Sequence, residues 1–400
     1  AAVGAAASLQ GRGQRSIDGT GRVLIPGLWD MHVHVTYEEA LTNPMADLFL
    51  DYGITSVRDT GGLLPKLLPV VERWRAADAV APRIYFSGPL LDGEKVVYDG
   101  DGRPEIGTAN PDVAAAKQNL DALMAAGADF IKIYELVSPE VFASLARLAR
   151  ENDLPIAAHV PLSLTAQFAG PQVDSKKHLR NIELACSNEA DALLASRTRL
   201  LRDSGDLSGY GLRSKLHADQ RPIALGDVDL SSPRCQAVIA ALKNTIQVPT
   251  LRLNTIFEYS PVDRKDWEQA LRDLPPALAS RWLATAQRFA GQSSEHAIRV
   301  SQWSLALTAA LHAGGVPMGA GTDTPIAQAI PGYSLHTELD RLVDAGLTPI
   351  EALRAATVRP AEFLGLVDEM GTIVAGKLAD LVLLYANPLL NIADTRSIAM

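Results

Sequence analysis

The chain has only two cysteines, Cys186 and Cys235, in 400 residues. They could pair in an oxidising compartment, but two thiols in so long a chain are expected to stay free and buried. Long apolar runs are also missing: every run falls short of the roughly 20 residues a membrane helix needs, so no membrane span is expected and the chain reads as soluble. Positive charge is not in excess, with 37 Lys and Arg against 46 Asp and Glu and a net charge of −9. Without a basic footprint, nucleic acid is not an expected partner, and the acidic balance reads as surface solubility. There is no internal repeat and no low-complexity run apart from an Ala/Gly-rich start at residues 1–13.

A hydrophobic fraction of 47% supports a large buried core. Short apolar runs with strand character lie near residues 27–34, 54–58, 82–87, 129–134, 155–159, 173–178, 246–250 and 316–322, with helical patterns between them. Such alternation predicts a parallel sheet with crossover helices, an α/β fold. In the stretch 112–126, for example, Asp112 can cap, Val113, Ala116, Leu120, Leu123 and Met124 recur at helical spacing, and Gly127 ends the run. Eight strands in this order suit a (β/α)8 barrel, an architecture of about 250 residues that grows by insertion. Two insertions are expected, near 186–235 and 260–300, on loops that open onto the catalytic face of such a barrel. They read either as a lid whose Phe257, Trp267 and Trp282 wall a substrate pocket, or as outer helices or a subunit contact.

The most informative motif is Asp30-Met-His-Val-His34. Residues two apart on a strand project from one face, so His32 and His34 can aim imidazoles at a single point, which suggests a metal. Four further residues end strand-like runs: Lys132 in Asp129-Phe-Ile-Lys-Ile-Tyr134, His159 in Pro155-Ile-Ala-Ala-His159, His178 in Val173-Asp-Ser-Lys-Lys-His178, and Asp323 in Val316-Pro-Met-Gly-Ala-Gly-Thr-Asp323. In type and order this set resembles the amidohydrolase superfamily. Gly21-Arg-Val-Leu-Ile-Pro-Gly-Leu-Trp-Asp30 is similar to that family's lead into strand one, while Leu335–Leu339, Ala345–Thr357 and Gly376–Val382 are similar to its closing helices and last strands.

The resemblance implies a (β/α)8 TIM barrel over residues 27–364 and a small, incomplete β-sandwich made by residues 1–26 and 365–400. It implies two divalent metal ions, zinc foremost. His32 and His34 would bind the more buried ion and His159 and His178 the more exposed one. Lys132, as a CO2-derived carbamate, would bridge them, and Asp323 would be both ligand and proton shuttle. Imidazole and carboxylate donors suit zinc, and two adjacent cations can share a hydroxide ionised near neutral pH. Adjacent metals also favour the anionic carbamate over the amine.

The reaction type can be narrowed further. His159 is followed by Val160-Pro-Leu-Ser-Leu-Thr165 with no acid, where deaminases of the superfamily place a glutamate. Amide hydrolysis is therefore favoured, and the Ile133-Tyr134 step, His159-Val-Pro-Leu162 and Val248-Pro-Thr-Leu251 are most similar to the prolidase and metallo-carboxypeptidase-like branch, which cleaves dipeptides or N-acyl amino acids. That branch often carries a Gly-Gly-His element after strand three, whereas this chain has Gly88-Pro-Leu-Leu-Asp-Gly-Glu-Lys-Val-Val-Tyr98. Tyr134, on the same strand face as Lys132, is the substitute for polarising the scissile carbonyl, or else a core tyrosine. For a substrate carboxylate the candidates are Arg58, Arg180 and Arg252, each with a structural ion pair as its alternative. His217, His296, His312 and His336 read as surface or helix-packing residues. The expected function is a binuclear zinc amide hydrolase. A cyclic amide or lactone hydrolase is the alternative, and a non-catalytic scaffold is the third reading. The expected partners are a small amide or peptide and, in a homo-oligomer, further copies of the chain. Both ends read as trimmed, so an export signal would not be visible, and the compartment stays open between cytoplasm and an exported location.

Overall fold

The computed structural model describes Gly4 and residues 17–400. The Ala/Gly-rich start, Gly4 apart, and the part of the expected sandwich that precedes residue 17 lie outside the described residues. The strands are β1 (Val23–Pro26), β2 (Leu28–Val33), β3 (Ile54–Asp59), β4 (Arg83–Phe86), β5 (Leu90–Leu91), β6 (Gly107–Thr108), β7 (Ile131–Ile133), β8 (Ile156–Ala158), β9 (Ser175–Lys177), β10 (Ile246–Val248) and β11 (Leu381–Leu384). From β2 to β10 they form two parallel sheets, in the orders β2-β3-β4 and β10-β9-β8-β7-β5-β6. Strands β2, β7, β8, β9 and β10 are buried along their whole length. Burial on both faces explains why these runs read as continuous rather than alternating.

The extended segment 316–324 runs between β2 and β10. On one side Met31 N donates to Ala320 O at 3.0 Å and His34 N to Thr324 O at 2.8 Å; on the other, Gln247 N donates to Pro317 O at 2.9 Å and Gly319 N to Gln247 O at 2.8 Å. Between the two sheets, Asp129 N donates to Phe86 O at 2.9 Å. This is a TIM-barrel-like α/β fold. Its crossover helices begin where their caps predict: Asp112 accepts from Ala115 N ahead of Val113–Ala125, and Ser138 accepts from Val141 N ahead of Pro139–Glu151. β1 and β11 pair antiparallel, with Val23 opposite Leu384 and Pro26 opposite Leu381. Among the described residues no helix is long and apolar enough to cross a membrane.

Inside the parallel strands Met31, Phe130, Ala157, Ile246, Val248 and Phe363 form a buried cluster. The strand face that packs Phe130 and Ala157 carries Lys132 and His159 two residues further on, so the apolar cluster is the floor of the polar site.

Two expectations are corrected here. Cys186 and Cys235 form a disulfide instead of remaining free. The first insertion folds back on itself, packing the helix Ile182–Cys186 against Pro233–Ala241 and bringing the two Cα atoms within 4.4 Å. Trp267 and Trp282, expected to wall a pocket, are buried in the main core at 2% and 6% exposure. Leu278, Trp282 and Ala286 recur at four-residue spacing and make one buried helix face. A large apolar ring on such a face loses more water-exposed area in the core than at a pocket rim.

Candidate active site

His32 and Lys132 lie within β2 and β7, His34, His159 and His178 directly follow β2, β8 and β9, and Asp323 stands in the segment beside β2; their neighbours fix their aim. Asp30 accepts from His32 N and Thr322 N, both at 3.0 Å, and from Thr322 Oγ1 at 2.5 Å, which ties β2 to the segment carrying Asp323. Burial pushes the Asp30 carboxyl up to about 6. His34 Nδ1 lies 3.0 Å from Gly61 O, which leaves Nε2 to face inward. A Cβ on Gly61 would come within 2.9 Å of the His34 ring, so only glycine fits there. Of the eight non-glycine residues with positive φ among those described, all but Asp153 follow β9, β10 or the start of the turn at Asp323. They are His178, Leu179, Asn181, Thr250, Asp323, Ala327 and Gln328. Backbone strain of this kind costs about 1–3 kcal/mol per residue and persists where the surroundings over-determine it.

These constraints bring the sequence candidates together. His32 Nε2 and His34 Nε2 lie 3.0 and 3.2 Å from Asp323 Oδ1, and His178 Nε2 lies 3.6 Å from Asp323 Oδ2. The His159 ring is 4.9 Å from that of His178 and 4.5 Å from that of Tyr134, centroid to centroid. All of them, with Lys132 and Arg180, line one cavity of about 160 Å³. Burial would raise the Asp323 carboxyl, but His32 and His178 beside it hold it well below the usual carboxylate range. Burial pushes His32, His159 and His178 well below the ordinary imidazole value, leaving neutral rings. The Lys132 amine is fully buried, has no hydrogen-bond partner, and is pushed well below its usual range by burial and by the charge of Arg58.

A donor set of neutral imidazoles, an ionised carboxylate and an unpartnered amine is suited to a cation. His32, His178 and Asp323 each offer one ligand atom within 4.8 Å of the others, all buried, and they form a possible metal site. His32 Nδ1 and His178 Nδ1 are buried without hydrogen-bond partners among the described residues.

Two of the three arginine candidates do not reach the cavity. Arg58 lies beneath it, donating from Nε to Met31 O at 2.8 Å, with its guanidinium 4.1 Å from the Phe363 ring centroid. It is 1% exposed because its strand position points to the interior. Arg252 donates to Thr322 O, Ile326 O and Ala327 O at 3.1, 2.9 and 2.8 Å, bracing the turn after Asp323 from behind. Arg180 does line the cavity, 3.9 Å from Glu135 Oε1.

Sequence reasoning missed a second layer built on Glu135. This fully buried carboxylate takes His159 Nδ1 at 2.7 Å on Oε1, and His217 Nε2 at 2.7 Å and Arg213 Nε at 3.1 Å on Oε2. Burial would raise it, but Arg213 and His217 hold it well below the usual range. Glu135 thus fixes the His159 ring with Nε2 turned to the cavity. His217 is therefore a member of the site rather than a packing histidine. Arg213 and His217 stand four apart on the helix Gly209–Asp227, a one-face spacing that was the available signal. Tyr210, from the same helix, and Tyr98 complete the wall. His336 does pack as expected, with Nδ1 2.8 Å from Thr395 Oγ1 and Nε2 3.0 Å from Tyr52 O.

Residues 290–399, which carry Asp323 and its supporting helices, match the profile of the amidohydrolase family. That match spans a little over a quarter of the chain. Solved structures agree with the chain in fold. A Xaa-Pro dipeptidase with bound methionine in the active site is 17% identical over 94% of this chain and 84% of that one, with a TM-score of 0.63. The bottromycin amidohydrolase is 24% identical over 92% and 72%, with a TM-score of 0.66. Molinate hydrolase is 17% identical over 96% and 83%, with a TM-score of 0.61. No curated protein matches the sequence.

Proposed function

We propose that this chain is a member of the amidohydrolase superfamily and a hydrolase of carbon–nitrogen bonds: a binuclear, zinc-dependent enzyme of the prolidase-like branch that cleaves the amide of an N-acyl amino acid or dipeptide. The observation that carries the reading is the convergence of His32, His34, His159, His178 and Asp323 around the unpartnered amine of Lys132, with Arg180 on the same wall. The reading takes the strands as a closed (β/α)8 barrel over residues 27–364, supported by the hydrogen bonds that segment 316–324 makes to β2 and β10. It takes the two chain ends as a small β-sandwich, supported by the β1–β11 pair. The Xaa-Pro dipeptidase among its structural neighbours is consistent with an amide bearing a nearby carboxylate.

In this reading His32, His34 and Asp323 would hold one ion and His159 and His178 the other, with Lys132, as a carbamate, the ligand they would share. When bound, such ions supply Lewis acidity and an ionised nucleophile near neutral pH. The chain's residues do the rest. Arg180 grips the substrate carboxylate, and the Tyr134 phenol, which burial keeps protonated well above its ordinary value, donates to the scissile carbonyl oxygen. Asp323 accepts the proton of the attacking water as the oxygen–carbon bond forms, and delivers it to the amide nitrogen as the carbon–nitrogen bond breaks. Glu135 keeps the His159 ring in place. A carboxylate-gripping arginine on the wall favours this open-chain substrate over a cyclic amide or lactone.

Asp323→Asn keeps the size and one oxygen but cannot carry the proton. It should lower kcat by ~10²-fold or more while metal analysis still finds most of the metal, about two ions per wild-type chain. Lys132→Ala should lose activity and regain part of it with short carboxylic acids. Near-normal turnover in metal-replete Asp323→Asn, or full activity in Lys132→Ala without added acid, would overturn the mechanism.

A further inference from the structure

The cavity holding the candidate ligands is small, about 160 Å³. Ligand pockets usually span about 300–1,000 Å³, so this one has room for a reacting amide and little more. A second cavity of about 430 Å³ adjoins it and shares Arg180 and Leu253 as wall residues, while Ile326 faces the first and its neighbour Ala327 the second. The second cavity is mostly apolar: Ile256, Phe257, Ala286, Phe289 and Val300 line it, with Arg221 and His296 at its edge. Phe257 and Phe289 leave 46% and 47% of their surface uncovered, apolar area that a ligand group would remove from water.

Arg180 stands at the junction. It makes no hydrogen bond to another described side chain, and its nearest carboxylate oxygen is 3.9 Å away. The other arginine of the larger cavity, Arg221, is engaged by Glu183 at 3.1 Å. Arg180 follows His178 and Leu179 and precedes Asn181, three residues in the left-handed region that fix the turn presenting it. A carboxylate held at Arg180 sits at the border of the two cavities. In an N-acyl amino acid the carboxylate, the side chain and the amide nitrogen all branch from one Cα. With the amide in the small cavity, the side chain enters the large one.

From this geometry we infer that the larger cavity is the binding site for the side chain of the released amino acid, so that the enzyme selects N-acyl amino acids whose leaving residue is large and apolar. This rests on the amide-hydrolase reading for its substrate type, but the cavity can be tested without turnover. The site gives each buried methylene about four-fold in affinity, and phenylalanine on the order of 100-fold over alanine.

The experiment has a binding arm and a turnover arm, both on the full chain as purified. Calorimetry with L-alanine, L-leucine and L-phenylalanine should give affinities rising in that order. Arg180→Gln should weaken all three alike, and Ala297→Trp, which fills the cavity, should bring the phenylalanine-to-alanine ratio toward one. Phe289→Ala truncates a half-exposed ring that the fold does not need, and should lower that ratio about ten-fold. In the turnover arm kcat/KM for N-acetyl-alanine, N-acetyl-leucine and N-acetyl-phenylalanine should rise in the same order. Graded binding without any turnover would overturn the hydrolase reading and uphold the site. Equal binding of the three amino acids, binding of none, or a ratio unmoved by both Ala297→Trp and Phe289→Ala would overturn the site.

Discussion

The two insertions follow consecutive strands, β9 and β10, and both are helical, yet they serve the molecule differently. The first sends charge into the site: the helix Gly209–Asp227 places Arg213 and His217 on the buried Glu135 and Tyr210 on the cavity wall. It docks through Lys95 Nζ, which donates to Gly205 O at 2.8 Å, and its ends are stapled by the Cys186–Cys235 disulfide. The second sends Trp267 and Trp282 into the main core and turns Phe289 and Val300 to the apolar cavity. Of the three aromatics expected to wall a pocket, Phe257 does line the apolar cavity, while Trp267 and Trp282 went to the core. Arg213 reaches the polar cavity and, with His217, is held there by the buried Glu135, because an unpaired charge is far costlier to bury than a ring is to expose.

This contrast can be broken by mutation. The largest effect is expected at Trp267→Ala, which should remove about 3–5 kcal/mol of stability in denaturant unfolding and leave the ranking of substrates by kcat/KM unchanged. A changed ranking would return the second insertion's tryptophans to the pocket. Replacing both Cys186 and Cys235 by serine opens a loop with a sequence separation of 49. That should cost about 2–4 kcal/mol, read as a lower Tm, with activity lost before the core unfolds because the first insertion loosens first. Coincident loss of activity and of core signal would mean that the two insertions are one cooperative unit. The smallest effect should be that of Arg213→Gln. It should lower activity or metal affinity about 10–100-fold with little change in Tm, the scale seen when the partner of a ligating histidine is disturbed. An Arg213→Gln protein that is unstable but normally active would place the arginine with the packing residues instead.

The candidate ligands were legible because each ends a short strand-like run, and a strand end aims a side chain in a direction its period gives. His32 and His34 at i and i+2 do converge, both on Asp323. The helix Val113–Ala125 and its Asp112 cap were legible for a similarly local reason. Glu135 was not, because its partners lie 78 and 82 residues away, on an insertion with no pattern tied to the strand it meets. The fates of Arg58 and Arg252 were hidden for the opposite reason. Arg252 does follow β10 but Arg58 lies within β3, and a long side chain can turn under the strand or behind the turn, where carbonyl oxygens satisfied both. Which tryptophan faces a cavity and which the core depends on the face its helix presents, and that is settled by packing.

The left-handed residues at the rim govern how this molecule can drift. Ala327 and Gln328, at φ of 50° and 54°, carry strain that glycine would not, and neither is part of the main core. Each change to glycine there would be stabilising in itself, and each would also loosen the turn whose carbonyls hold Arg252 in place. A chain tuned for stability alone would take those glycines. This one keeps side chains at both positions, which makes the turn after Asp323 a place where robustness and aim are exchanged against each other, and where a more heat-resistant but less selective descendant is a single substitution away.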